Sequence, residues 1–158
     1  MSTENAFTHL DDQGQAHMVD ISDREISTRT AIASGKVLLS QKVIAMLRDG
    51  SVPKGDVLAT ARLAGIMGAK RTPDLIPLAH PIALHSVSVE LQVATDGVTI
   101  QADVRTADRT GVEMEALTAV SISALTIIDM VKSLDPHATI TDIHVDSKDG
   151  GRNGAWKR

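Results

Sequence analysis

The sequence predicts a single α+β domain in which a layer of helices covers an antiparallel sheet. Three features of the chain lead there. Segments 87–94 and 98–106 alternate apolar and polar residues and are joined by Thr95–Asp96–Gly97, the pattern of a half-buried hairpin. Segment 111–134 is the longest apolar-periodic stretch and reads as the principal helix. A last strand candidate follows at 139–145, and two shorter helical patterns precede the hairpin.

In chain order, residues 1–34 are polar without a sustained period and read as an arm with at most short strands. A short strand is expected at 36–39. Ser40 then caps a helix to about Asp49, with Val43, Ile44 and Leu47 on one face and Gly50 as its stop. Asp56 caps a second helix to about Lys70, rich in Ala and Gly and so open to close approach by another helix or subunit. Thr72–Pro73 ends it, because the residue before Pro is pushed out of the helical region. Residues 75–84 set His80 between Pro77 and Pro81 in a stiff, extended connection. In the hairpin, Val87, Val89, Leu91 and Val93 share one face, as do Val98, Ile100, Ala102 and Val104. Asp135–Pro136 stops the principal helix. The expected organisation is an arm (1–34), one folded domain (35–147) and a flexible, Gly-rich basic tail (148–158).

A chain of 158 residues is the size of one ordinary domain. Its only aromatic residues are Phe7 and Trp156, so the core must be built from Ile, Leu, Val, Ala and Met. The absence of cysteine excludes disulfides, thiolate nucleophiles, iron–sulfur clusters and cysteine zinc sites. The polar start lacks an apolar signal core, and no apolar run is expected to reach the ~18 residues of a membrane span. Cytoplasmic residence is therefore the expectation. A net charge of −4 argues against a nucleic-acid surface. Short basic groups (Lys70–Arg71, Lys148 with Arg152, Lys157–Arg158) suit a small anionic ligand.

The principal helix carries ionisable groups that a pure core helix does not need. Thr110-x-x-Glu113 has the spacing of a capping box, which is the plain structural reading of Glu113. Glu115 lies roughly 200° further round the helix, leaving one acid to face a site while the other pairs across an interface. Asp129 and Lys132 share a face three residues apart. An ordinary surface pair there is worth less than ~1 kcal/mol, but the apolar neighbours Ile127, Ile128, Met130 and Val131 argue for partial burial. Lys54 stands directly before a helix start, either as an exposed loop lysine or beside the amides of an anion site. Of six histidines, His80 in its proline-rich turn is the candidate, against a structural role within that turn. Its five-residue spacing to His85 is not that of a helical zinc pair, so no metal site is expected. Lys70 and Arg71 read as helix-terminal charges.

The run Arg109–Thr110–Gly111–Val112–Glu113–Met114–Glu115–Ala116–Leu117–Thr118–Ala119, with Lys54–Gly55–Asp56 and Leu78–Ala79–His80–Pro81, resembles the MoaC family. These are the cyclic pyranopterin monophosphate synthases of molybdenum-cofactor biosynthesis. The resemblance extends from about Thr8 to Gly154. It implies a ferredoxin-like fold and a homo-oligomer, a hexamer built as a trimer of dimers, with active sites at subunit interfaces. It makes Asp129 and Lys132 the catalytic pair and Lys54 a catalytic or substrate-binding residue, and sets His80, Glu113, Met114 and Glu115 around the substrate. Arg29 belongs at the pocket, and Lys148 opens a Gly-rich terminal loop that closes over phosphates. Ala79 stands where the family often has cysteine, so no thiol is needed there. Arg152 and Asn153 stand where Lys and Ser are common; Arg still offers a bidentate phosphate contact.

The implied reaction converts the cyclised GTP intermediate, 3′,8-cyclo-7,8-dihydro-GTP, to cyclic pyranopterin monophosphate with release of diphosphate. It needs several proton transfers, for which Lys54 and Lys132 are the candidates, and cations to stabilise the leaving group. A carboxylate favours the charged form of a lysine beside it, so Asp129 is expected to orient Lys132 and relay protons. No cofactor is implied; Mg²⁺ accompanying the triphosphate is compatible with the sequence but not required by it. Nucleic-acid and membrane partners are not expected. The rival readings are a non-catalytic anionic-metabolite-binding oligomer (a sensor or an inactive paralogue), a metal-dependent phosphohydrolase, and a purely structural oligomer.

Overall fold

The computed structural model describes residues 9–158, so the first eight residues of the expected arm lie outside it. Nine elements follow in order: β1 (Ser27–Leu38), α1 (Gln41–Asp49), α2 (Val57–Lys70), α3 (Thr72–Leu75), β2 (Ser86–Val93), β3 (Gly97–Asp108), α4 (Glu113–Val131), β4 (Thr139–Asp149) and β5 (Trp156–Lys157). The strands form one antiparallel sheet in the order β2-β3-β1-β4-β5. Without the short β5, and with α1 to α3 taken together as one crossover, the chain order β-α-β-β-α-β and the strand order are those of a ferredoxin-like fold.

The local signals for α1 and α2 hold. Ser40 Oγ accepts from the Val43 amide, Asp56 Oδ1 accepts from the Ala59 amide at 3.0 Å, and Gly50 ends α1 in the left-handed region at φ 72°. α2 stops at Lys70, and Pro73 lies in the first turn of α3, where its missing N–H costs nothing. β3 alternates as expected, with Val98, Ile100, Ala102 and Val104 buried.

The sheet departs from expectation at its centre. β1 begins at Ser27, well inside the segment expected to be an arm, and pairs with β3 and β4 on its two sides. Its inward positions are small (Ala31, Ala33, Gly35), which hid the alternation. They are small because α4 crosses there: a β-carbon on Gly35 would lie 2.6 Å from Val120 Cγ1. The tail differs too, since β4 runs to Asp149 and Trp156–Lys157 pairs with Ser147–Lys148 as an edge strand.

α2 and α4 together cover one face of the sheet. They approach closely at Gly65 and Gly68, which pack on Ser123 and Ile122, and Ser123 Oγ donates to the Ala61 carbonyl at 3.0 Å. The core between helices and sheet is aliphatic: Val37, Val89, Ile100, Val104, Val120, Ile127 and Val131 are each fully buried. α4 is, contrary to expectation, long and apolar enough to cross a membrane, with a mean hydropathy of 1.6. Here it packs along β1, β3 and β4 as a core helix.

Candidate active site

The predicted site residues fall into three places. At the C-terminal end of α4, Asp129 is gripped by two lysines. Lys132 Nζ donates to Asp129 Oδ1 at 2.6 Å, and Lys54 Nζ donates to the Asp129 main-chain carbonyl at 2.6 Å and lies 3.6 Å from Oδ2. The Lys132 hydrogen bond and charge, with Lys54 behind them, hold the Asp129 carboxyl below the usual carboxylate range. The expected partial burial is absent: the Asp129 side chain is 62% exposed, because Ile127 and Val131 turn the buried face of α4 the other way. Lys54 reaches across from the turn before α2 and joins Asp129 rather than the α2 amides, whose cap is Asp56.

At the other end of α4 lies a hollow of about 550 Å³ lined by Arg24, Arg29, Glu113, Lys148, Arg152 and Asn153 among others. Thr110 makes no capping box. Val112 holds the N-cap position with no side-chain cap bond, and Glu113 Oε1 stands 3.6 Å from Lys148 Nζ instead. Gly151, at φ 82°, lies directly over the Arg29 guanidinium, where any β-carbon would overlap Nη1. Arg29 Nε is buried and has no hydrogen-bond partner among the described residues, a donor held ready for an acceptor. Arg24, Arg29, Lys148 and Arg152 outnumber the carboxylates Glu25, Glu113 and Asp149 in the lining, and with the positive-φ pair Gly150–Gly151 they suit the hollow to an anion.

The Glu113–Met114–Glu115 triplet fans apart as helix geometry requires. Glu113 lines the hollow, Met114 is 40% exposed, and Glu115 is 3% exposed and packed into the core. Glu115 has no ion pair among the described residues and lies buried inside its own chain. Burial pushes its pKa from 4.5 up to about 7, with the Glu113 charge adding to the rise and its own backbone amide opposing it.

His80 lies in a third place, a hollow of about 470 Å³ with Met18, Val19, Asp20, Asp108 and Arg109. Its Nε2 is 2.6 Å from the Val19 carbonyl, so the imidazole ties residues 18–22 to the core. Arg109, from the principal motif, extends that tie by donating from Nε to the Arg24 carbonyl at 2.8 Å. This brings Arg24 and Glu25 to the 550 Å³ hollow. Sequence reasoning missed both: the segment carries no period, and its anchor is 85 residues away. Among the described residues no group of three or more His, Asp and Glu is arranged to hold a metal ion.

One chain therefore does not unite the predicted site. Glu113 and Asp129 are sixteen positions apart on one helix, about 24 Å along its axis.

The family model that matches the chain is the MoaC family, over residues 18–151. A curated relative from Streptomyces griseus, named cyclic pyranopterin monophosphate synthase, is 62% identical over 158 residues, covering 100% of this chain and 89% of its own. The Mycobacterium tuberculosis protein named cyclic pyranopterin monophosphate synthase 2 is 56% identical over 152 residues, covering 96% of this chain and 91% of its own. The Dinoroseobacter shibae protein of the first name is 55% identical over 155 residues, covering 97% and 98%. With a family model spanning most of its length and full-length relatives at this identity, the chain belongs to the MoaC family.

Proposed function

We propose that this chain is a cyclic pyranopterin monophosphate synthase. It takes the cyclised GTP intermediate 3′,8-cyclo-7,8-dihydro-GTP to cyclic pyranopterin monophosphate and diphosphate, a step of molybdenum-cofactor biosynthesis. The observation that carries the reading is the grip of Lys54 and Lys132 on Asp129. Lys132 donates directly to the Asp129 carboxylate at 2.6 Å, while Lys54, held by the Asp129 main-chain carbonyl, stands 3.6 Å from the other carboxylate oxygen, so both amines are already oriented about one carboxylate that can exchange a proton with Lys132. Lys54 and Lys132 exchange protons with the opening purine ring, and Asp129 orients Lys132. The hollow of Arg29, Lys148 and Arg152 takes the triphosphate, and its cations stabilise charge on the departing diphosphate. Glu113 orients Lys148 there; His80 and Met114 belong to the substrate's surroundings, with Glu115 the buried acid of the same helical turn.

The 24 Å between the two ends of α4 is too long for one bound nucleotide derivative. The active site is thus composite, with the Lys54–Asp129–Lys132 end of one copy meeting the Lys148–Glu113 end of another. Leu63 and Met67 on α2 and Leu125 on α4, 64%, 66% and 54% exposed, offer an apolar face for such an assembly. A hexamer arranged as a trimer of dimers fits this requirement, and the protein works in the cytoplasm without a resident cofactor.

The test is to incubate the purified protein with the cyclised GTP intermediate, with and without EDTA, and follow pterin product and diphosphate. Turnover that survives EDTA and is lost in folded Lys132→Ala or Lys54→Ala is expected. Tight binding without turnover would make the chain a sensor or inactive relative, and turnover abolished by EDTA but retained in the lysine variants would replace the lysine mechanism with metal catalysis.

A further inference from the structure

The helix-free face of the sheet carries a side-chain cluster that the reaction does not use. It sits where β4 departs from regular pairing with β1. Lys36 faces Thr141 and Ser34 faces His144, so Gly35 spans both Asp142 and Ile143. Ala33 then faces Val145 and Ile32 faces Ser147, which leaves Asp146 as a second extra residue. Each irregularity is a bulge, and Asp142 lies at φ 55°, in the left-handed region. His144 stands between them. Its Nδ1 is 2.7 Å from the Asp142 carbonyl and its Nε2 is 2.9 Å from Asp146 Oδ1. The other carboxylate oxygen, Asp146 Oδ2, accepts from Ser34 Oγ at 2.5 Å. His144 therefore joins one bulge to the other, and Asp146 joins both to β1.

The two bulges decide where Lys148 points. A one-residue change of register turns every following side chain to the opposite face. With both bulges in place, Lys148 pairs with Ala31, whose side chain is buried under the helices, and its Nζ meets Glu113 in the 550 Å³ hollow. If Asp146 entered the ladder as a regular residue, Lys148 would come opposite Thr30, one position along, and face away from α4.

We propose that Ser34, His144 and Asp146 are positioning residues: they staple the double bulge of β4 and so aim Lys148 into the hollow that takes the substrate's triphosphate. This rests on the phosphate-binding reading of that hollow. The donor and acceptor pattern supplies a discriminating variant. The Asp142 carbonyl can only accept, so Nδ1–H donates to it and Nε2 is the nitrogen that meets the side chain at 146. Asparagine at 146 offers its NH₂ to a neutral ring nitrogen and its carbonyl to Ser34, which keeps the staple; alanine keeps nothing.

Asp146→Ala, Asp146→Asn and Lys148→Ala would be compared in the full-length oligomer. The readouts are steady-state turnover of the cyclised GTP intermediate, binding of inorganic tripolyphosphate, and amide hydrogen exchange across residues 147–149. Asp146→Ala is expected to raise KM and the tripolyphosphate Kd about tenfold, the worth of one hydrogen bond to a charged group, and to lower kcat/KM at least as much, because Lys148 also stabilises the departing diphosphate. Exchange at 147–149 speeds up in the same variant, and Asp146→Asn returns all three readouts most of the way. Wild-type KM, affinity and exchange in Asp146→Ala would overturn the proposal, as would faster exchange with KM unchanged. If wild-type protein and Lys148→Ala both ignored tripolyphosphate, the phosphate reading of the hollow would fail. The staple would then be judged on exchange alone, with unchanged exchange overturning it. Should Asp146→Ala not fold, Ser34→Ala, which removes one of the two bonds to the carboxylate, is read by the same criteria.

Discussion

Replacing Glu115 with glutamine is expected to remove a pH dependence that the buried carboxyl builds into the fold. Glu115 is 3% exposed in the first turn of α4, and its pKa rises from 4.5 in the open chain to about 7. Between those values the folded protein keeps a proton that the unfolded chain has released. Stability therefore falls as pH rises through this interval, by about 1.4 kcal/mol per pH unit while the two states differ by one proton. Over the whole interval the loss sums to about 3 kcal/mol, and above it the loss is complete and flat. Glutamine has the same shape and nothing to ionise. Urea unfolding at fixed protomer concentration, from pH 4.5 to pH 8, measures the effect. The stability of Glu115→Gln relative to the parent is expected to grow by about 3 kcal/mol across that range. A difference independent of pH would show that the carboxyl is ionised when folded, met by a cation from another copy or by water, and the burial argument would be refuted.

Two further outcomes follow from the packing and from the divided site. Mixing Lys132→Ala and Lys148→Ala protomers, each crippled alone, is expected to restore about a quarter of parental activity. Half of randomly paired dimers are hybrid, and one of the two sites in each hybrid draws both intact ends. A mixture no more active than its components would place the whole site within one chain. Gly65→Ala puts a methyl group against Ser123 and 2.9 Å from the Ala119 carbonyl, forcing α2 and α4 apart. The melting temperature is expected to drop by an amount equivalent to about 1–3 kcal/mol, the usual cost of overpacking; an unchanged melting temperature would mean the helices have slack.

Much of the fold could be read from the chain because its signals are local. Ser40 and Asp56 cap their helices through side chains that reach only three residues forward. The hairpin is fixed by alternation within each strand and by Gly97 at its turn. Lys132 and Asp129 met as expected, being three residues apart on one helix. The first half of β1 was illegible, since Ala31, Ala33 and Gly35 are small where α4 packs on the strand, Gly35 against Val120, 85 positions away. The capping box failed for a related reason: Glu113 has a better partner in Lys148, 35 positions on, than in a local amide.

By itself the amino-acid sequence determined the class of the fold, the helix starts, the hairpin and the motif residues that mark the family. All of these depend on backbone propensity, short-range hydrogen bonds and side-chain period. Tertiary structure decided which residues share a surface. It set Arg24 beside Arg29, buried Glu115 as a neutral acid, and turned Lys148 toward α4 through two bulges. A contact between distant segments depends on register, crossing angle and the space left by neighbours, and no local pattern encodes those quantities.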